Sequence, residues 1–175
     1  MAKFLECDGV ELRPLEPDDL NTLYMWESEA DAWKTNSVSA PYSRHLLLEY
    51  LRNYDADIYK TREVRMMLLY QGDAVGTVDV FNFDPVNSRA EIGLYVAAEH
   101  RGQHIGCRAI ALVAEKYAFG VLGVHQVYCT VGADNDAALV AFADAGFERK
   151  AVLSQWLRRG KGEFADAVIM QRLAR

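Results

Sequence analysis

The stretch Glu99-His100-Arg101-Gly102-Gln103-His104-Ile105-Gly106-Cys107-Arg108 joins a segment with strand periodicity to one with helix periodicity. Upstream, Ala90 to Val96 sets Ile92, Leu94 and Val96 on one face against Glu91, Gly93 and Tyr95 on the other, the two-residue repeat of a strand. Downstream, Ile105 to Phe119 carries Ile110, Val113, Ala114 and Tyr117 as an apolar stripe, with Arg108, Glu115 and Lys116 outside it, the repeat of a helix. Free N–H groups at the helix start, small residues that permit close approach, and Arg101 and Arg108 nearby together make an anion site. A pyrophosphate is the expected guest. The loop is not a Walker loop, which ends in Gly-Lys-Ser/Thr, nor a dinucleotide fingerprint, which opens a repeating βαβ unit.

Before this junction, Glu11 to Leu15 reads as extended and Pro17-Asp18-Asp19 opens a helix running to about Glu27. A second helix is expected from about Ser43 to Asn53, and the aperiodic residues 31–42 between them as a loop. Val64 to Tyr70 and Ala74 to Phe83 are two strands joined by a Gln-Gly-Asp turn. After the junction, His125 to Val131 is a strand, and Asp134-Asn135-Asp136 caps a small-residue helix that Gly146 ends. Two closing strands, Phe147 to Leu157 and Phe164 to Leu173, flank Arg158 to Gly162 as a hairpin turn. The order is mixed α/β (α+β), with an antiparallel front and one strand-helix-strand crossover.

The 175 residues, 51% apolar, suit one domain spanning 1–175. A net charge of −6 leaves no basic face for nucleic acid. No stretch approaches a signal peptide or the ~20 apolar residues of a membrane span, so a cytoplasmic protein without a membrane partner is expected. Cys7, Cys107 and Cys129 are odd in number and lack Cys-x-x-Cys spacing; they read as buried free thiols. None of the four histidines has a partner at metal-ligand spacing, so no metal is expected.

Arg101 through Gly106 resembles the Arg/Gln-x-x-Gly-x-Gly/Ala signature of the GNAT superfamily of N-acetyltransferases, with His104 where the first glycine is usual. Arg89-Ala90-Glu91-Ile92-Gly93-Leu94, Asp134-Asn135-Asp136-Ala137-Ala138 and Ala145-Gly146-Phe147-Glu148 stand in the family's order and spacing. The opening Leu12 to Leu20 and the closing strand through Met170 resemble the branch of ribosomal-protein N-terminal and spermidine acetyltransferases, so the likeness covers nearly the whole chain.

The resemblance implies a splayed mixed sheet of about seven strands flanked by about four helices. Acetyl-CoA would serve as acyl donor, with no metal, its pantetheine arm lying between the strands at 90–96 and 125–131. Backbone groups of Leu94, Tyr95 and Val96 would hold the arm, and Arg101, Gly102, Gln103, His104, Ile105, Gly106 and Cys107 the pyrophosphate. Asn135 and Phe142 would also line the cofactor. Many relatives carry a tyrosine at position 142 that protonates the departing thiolate, and this chain does not; Tyr95 or a water is the substitute, with packing the alternative role for Tyr95.

For the base that deprotonates the amine, the candidate is Glu91, against the plain alternative of a salt-bridged glutamate. Glu27, Glu29 and Asp31, with Trp26 and Trp33 nearby, form a second candidate site for a cationic acceptor, or else a solvated helix end beside core tryptophans. The substrate residues so expected are Glu27, Trp33 and Glu91. The acceptor is a small amine, a polyamine, an amino acid, an antibiotic or a protein N-terminus, and a homodimer stays open. The rival from another class is a non-catalytic acyl-CoA-binding or sensing module on the same fold.

Overall fold

The computed structural model describes residues 4–29 and 43–175. The chain divides into two compact units, Met1–Arg13 with Ala56–Arg175, and Pro14–Asp55. In the smaller unit, Pro17–Asp19 forms a single 3-10 turn in which the Glu16 N–H donates to Asp19 Oδ2 at 2.8 Å. Helix α1, Leu20–Glu27, follows, burying Leu23 and Trp26. Helix α2, Arg44–Arg52, starts where the Ser43 hydroxyl accepts from the Leu46 N–H at 3.1 Å, and buries Leu47 and Leu51. The Arg44 guanidinium lies 4.5 Å from the Tyr24 ring centroid and hydrogen-bonds the Asn21 side chain, which ties the two helices together.

The larger unit is built on a sheet of eight strands: β1 Glu6–Cys7, β2 Val10–Pro14, β3 Val64–Tyr70, β4 Asp73–Asp84, β5 Arg89–Val96, β6 Gln126–Gly132, β7 Glu148–Gly160 and β8 Glu163–Leu173. Their spatial order is β1-β2-β3-β4-β5-β6-β8-β7. Three further helices, α3 Ile58–Thr61, α4 Ile105–Leu112 and α5 Asp136–Asp144, bring the α-helices among the described residues to five. The strand beyond the expected seven is the two-residue β1, paired with β2 across the Asp8-Gly9 turn, and the added helix is the single turn of α3. Both are too short to carry a periodic signal.

Neighbouring strands pair antiparallel from β3 to β5 and from β6 to β7 by way of β8, while β5 and β6 run parallel, as the crossover through α4 requires. That parallel pair is short. Its register runs Arg89 to Gln126, Ala90 to Val127 and Glu91 to Tyr128, and there it stops. Met67, Leu68, Ile92, Ile105, Ile110 and Met170 are almost wholly buried and mark the core.

Two expected boundaries differ. The helix from Ile105 changes at Val113 into a π-helix, Val113–Phe119, after which the Gly120 and Leu122 N–H groups reach five residues back to Glu115 and Tyr117. The wider turn moves the buried stripe to Val113, Ala114 and Ala118 and leaves Tyr117 half-buried. In the closing hairpin the strands extend through Gly160 and from Glu163, so the turn is Lys161-Gly162 with Gly162 at φ +81°. Arg159 remains in the strand, its guanidinium held by Asp134 at 2.6 Å. The thiols are free, as expected, yet only Cys129 is buried; Cys107 is half-buried and Cys7 exposed, because Cys7 lies on the edge strand, with β2 its one neighbour.

Candidate active site

The end of the β5–β6 register fixes the site. Beyond Glu91 and Tyr128 the strands part, and among the described residues no strand pairs the β6-facing edge of β5 at Leu94, Tyr95 and Val96. The backbone N–H and C=O groups on that edge are donors and acceptors for an extended chain entering the gap. On the other edge the same residues pair with Val78, Thr77 and Gly76 of β4, which holds them rigid.

Glu91 sits at the root of this gap, with 8% of its surface exposed. Burial of a carboxylate demands polar partners. Asn82 Nδ2 donates to Glu91 Oε2 at 2.8 Å, and the Tyr128 phenol lies near the same carboxylate, close enough to feel its charge. Burial first, then the charge of Glu91, pushes the Tyr128 phenol above its ordinary value, so it stays protonated and able to donate at neutral pH. Strand alternation had suggested a face shared by Glu91, Gly93 and Tyr95. The Phe81 ring lies over it: a Cβ on Gly93 would come within 3.2 Å of Phe81 Cε1. Tyr95 is half-buried.

Neither Asn82 nor Tyr128 was singled out in the sequence. Tyr128 lies in the expected strand at 125–131, and a parallel register would have been needed to set it beside Glu91. Asn82 follows Phe81, the cross-strand partner of Glu91, so regular alternation turns its side chain to the opposite face. The register slips between Phe81 and Asp84, and Asn82 adopts φ +48°; this bulge swings the amide back toward Glu91. Both partners line a groove of about 550 Å³ whose rim includes Arg62 and Arg89.

The 101–107 loop joins the 3-10 turn Ala98–His100 to α4. Gly102 takes φ +79° and His104, the N-cap, takes φ 55° and ψ 19°, a left-handed conformation that explains why glycine suits this position. The first N–H groups of α4 have no intrahelical acceptor, as at every helix start. The loop arginines also make contacts within the protein. Arg108 donates to the carbonyls of Gln103 at 2.8 Å, His104 at 3.1 Å and Asp8 at 2.9 Å, with its guanidinium 5.1 Å from the Tyr70 centroid. It clamps the loop from behind. Arg101 Nε donates to the Val96 carbonyl at 3.0 Å.

Gly106 allows close packing, since a Cβ there would lie 3.0 Å from Leu94 Cδ2 and 3.7 Å from Ala141 Cβ. Leu94 thus links β5 to the loop helix. Asn135 caps α5, its Oδ1 accepting from the Ala138 N–H at 3.1 Å. Phe142 is buried, edge-on to Phe147 at 5.1 Å between centroids, and supplies no proton donor. Glu27 ends α1, half-buried, while Trp26 is a core residue. Trp33 and Asp31 lie outside the described residues. One donor atom each from His104, Cys107 and Asp144 lies within 4.8 Å of the other two. His104 and Cys107 are one helical turn apart, and Asp144 comes to them through the tertiary fold.

Residues 10–148 match the model of the acetyltransferase (GNAT) domain. Over 139 residues the chain is 30% identical to a spermidine N(1)-acetyltransferase of Escherichia coli (strain K12), covering 79% of this chain and 73% of the relative. Among solved structures, a spermidine N-acetyltransferase from Vibrio cholerae in complex with CoA and spermine superimposes with a TM-score of 0.82 at 24% identity, covering 95% of this chain and 96% of that one. A ribosomal L7/L12 alpha-N-protein acetyltransferase in complex with coenzyme A does so with a TM-score of 0.81 at 16% identity, covering 95% of each chain. The superpositions show a shared fold, and the chain belongs to the GNAT acetyltransferase family.

Proposed function

We propose that both units of this chain work as one N-acetyltransferase domain, with Glu91 as the base that prepares a primary amine for acetylation. The observation that carries the reading is the coincidence of Glu91 with the last paired residue before β5 and β6 separate. Acetyl-CoA supplies an activated acetyl thioester. The family membership makes it the donor, and the gap is where its extended arm would lie. The unpaired edge of β5 offers backbone hydrogen bonds to that arm, and the start of α4 offers N–H groups to an anion.

Glu91 accepts the ammonium proton, and the freed amine attacks the acetyl carbonyl, forming the amide bond as the bond to sulfur breaks. The electron pair leaves with the coenzyme thiolate, a good enough leaving group that the lack of a phenol at position 142 is tolerable. Asn82 orients the carboxylate, with Tyr128 beside it, and Tyr95 lies further along the same strand face. Proximity in the gap supplies much of the rate.

The acceptor belongs to the small amines, polyamines or protein N-termini, and the likeness to the E. coli spermidine N(1)-acetyltransferase is the reason to try polyamines first in any panel. Glu27 and Trp33 remain candidates for its cationic end. Self-association as a homodimer fits the β7–β8 hairpin, where Trp156 and Phe164 are 62% and 54% exposed. The test is thiol release from acetyl-CoA over a panel of polyamines, monoamines, amino acids and N-terminal peptides. Turnover with at least one amine is expected. Acetyl-CoA binding without thiol release across the panel would contradict the reading and favour a sensor.

A further inference from the structure

We propose that His104, Cys107 and Asp144 form a binding site for zinc at the rim of the loop that opens α4. A donor atom of each residue lies within 4.8 Å of the other two. They come from two elements: His104 is the N-cap of α4, Cys107 lies in its first turn, and Asp144 is the last residue of α5. Among the described residues the His104 ring and the Asp144 carboxylate have no hydrogen-bond or ion-pair partner, and the Cys107 thiol makes one weak bond, to the His104 carbonyl at 3.1 Å. Three ligand-capable groups therefore converge with almost nothing else to satisfy them.

Two independent features point to a cation. Asp144 puts a negative charge on a helix end that is already negative, and the last turn of α5 holds no basic residue to offset it. His104 holds a side chain in a left-handed conformation that disfavours every residue with a Cβ. Outliers of this kind persist where the side chain has work to do.

The donor set selects the metal. Imidazole nitrogen and thiolate sulfur favour zinc over magnesium or calcium, and one carboxylate completes a three-ligand site with water as the fourth. Thiolate and carboxylate together neutralise the dication. Tetrahedral zinc with bonds of about 2.0–2.3 Å keeps its ligand atoms roughly 3.5 Å apart, so the present cluster has to close by about 1 Å. All three side chains are exposed or half-exposed and free to rotate that far. On binding, the Cys107 thiol releases its proton to solvent and lets go of the His104 carbonyl, which makes affinity rise with pH. The cation takes no part in the bond-forming step of acetyl transfer, but His104 and Cys107 belong to the loop at the start of α4 that also offers N–H groups to the cofactor's anion.

The experiment is calorimetric titration of the metal-free full chain with zinc chloride, alongside optical titration with cobalt(II). We expect one zinc per chain with a Kd on the order of micromolar near neutral pH, heat that depends on the buffer through proton release, and a thiolate-to-cobalt band in the near ultraviolet. His104→Gly, Cys107→Ser and Asp144→Asn should each weaken zinc by at least about 10-fold. Circular dichroism verifies that each variant folds. The cobalt band should vanish in Cys107→Ser and survive in Cys7→Ser. No saturable binding up to about 100 μM zinc, affinity unchanged in the three variants, or a cobalt band that survives Cys107→Ser would each overturn the proposal.

Discussion

Asn82 Nδ2 donates a 2.8 Å hydrogen bond to Glu91 Oε2 from a bulge at φ +48°, where a regular strand would have turned the amide away. The bulge thus sets the orientation of a buried carboxylate. Asn82→Gly keeps the positive φ and removes only the amide. Turnover should fall by about 10-fold, the size expected for one charge-assisted hydrogen bond, while the Kd for acetyl-CoA stays as it was. Steady-state kinetics with equilibrium cofactor binding checks this; an unchanged kcat would remove Asn82 from the positioning of Glu91.

His104 occupies left-handed backbone space at the start of α4. His104→Gly should raise unfolding free energy in metal-free urea titrations by about 0.5–1 kcal/mol at constant m-value, since glycine pays no Cβ penalty there. A lower midpoint would mean that the imidazole makes stabilising contacts in the metal-free protein.

Arg108 fastens the loop by three carbonyls and the Tyr70 ring. Arg108→Ala should weaken acetyl-CoA by about 10-fold and lower stability by about 2 kcal/mol, because the loop carbonyls lose a fork that holds them in place. Arg108→Lys should recover only part of both, lacking the planar geometry. Cofactor affinity unchanged in Arg108→Ala would show that the loop keeps its shape without the clamp.

Burial pushes the Cys129 thiol from its ordinary 9.0 up to about 12. Between those values the folded protein keeps a proton that the unfolded chain gives up. Its contribution to stability is therefore complete below pH 9 and lost as pH rises toward 12. Urea titrations above pH 9 should show a steeper decline for the natural protein than for Cys129→Ala. Equal slopes would mean that the thiol ionises as readily folded as unfolded.

The order of strands and helices was legible because β5, α4 and α5 carry clean periodicity and because the family's segments stand in sequence at the right spacing. Glu91 could be named for the same reason: alternation put it beside Gly93 and Tyr95. Its partners could not. Asn82 depends on a register slip opposite Arg89 and Glu91, and Tyr128 on a parallel pairing only three residues long, both set by tertiary contacts. Arg108 looked like an anion ligand because sequence reports its charge and not the carbonyls that surround it. The π-turn at Val113 was hidden because Val113, Ala114 and Ala118 are apolar under either helical repeat. The packing of Leu94 and Ala141 against Gly106 was hidden as well, because both neighbours come from other elements.

The central claim is that Glu91 is the base, and Glu91→Gln tests it with the least disturbance, since the amide keeps the shape and can still meet the side chains of Asn82 and Tyr128. At neutral pH, kcat with the best amine of the panel should fall by about 10²-fold or more while acetyl-CoA affinity persists. The deficit should shrink as pH rises, because the amine then arrives already deprotonated. A loss that stays constant with pH, or turnover near that of the natural protein at neutral pH, would contradict the assignment and move the base to Glu27 or its neighbours.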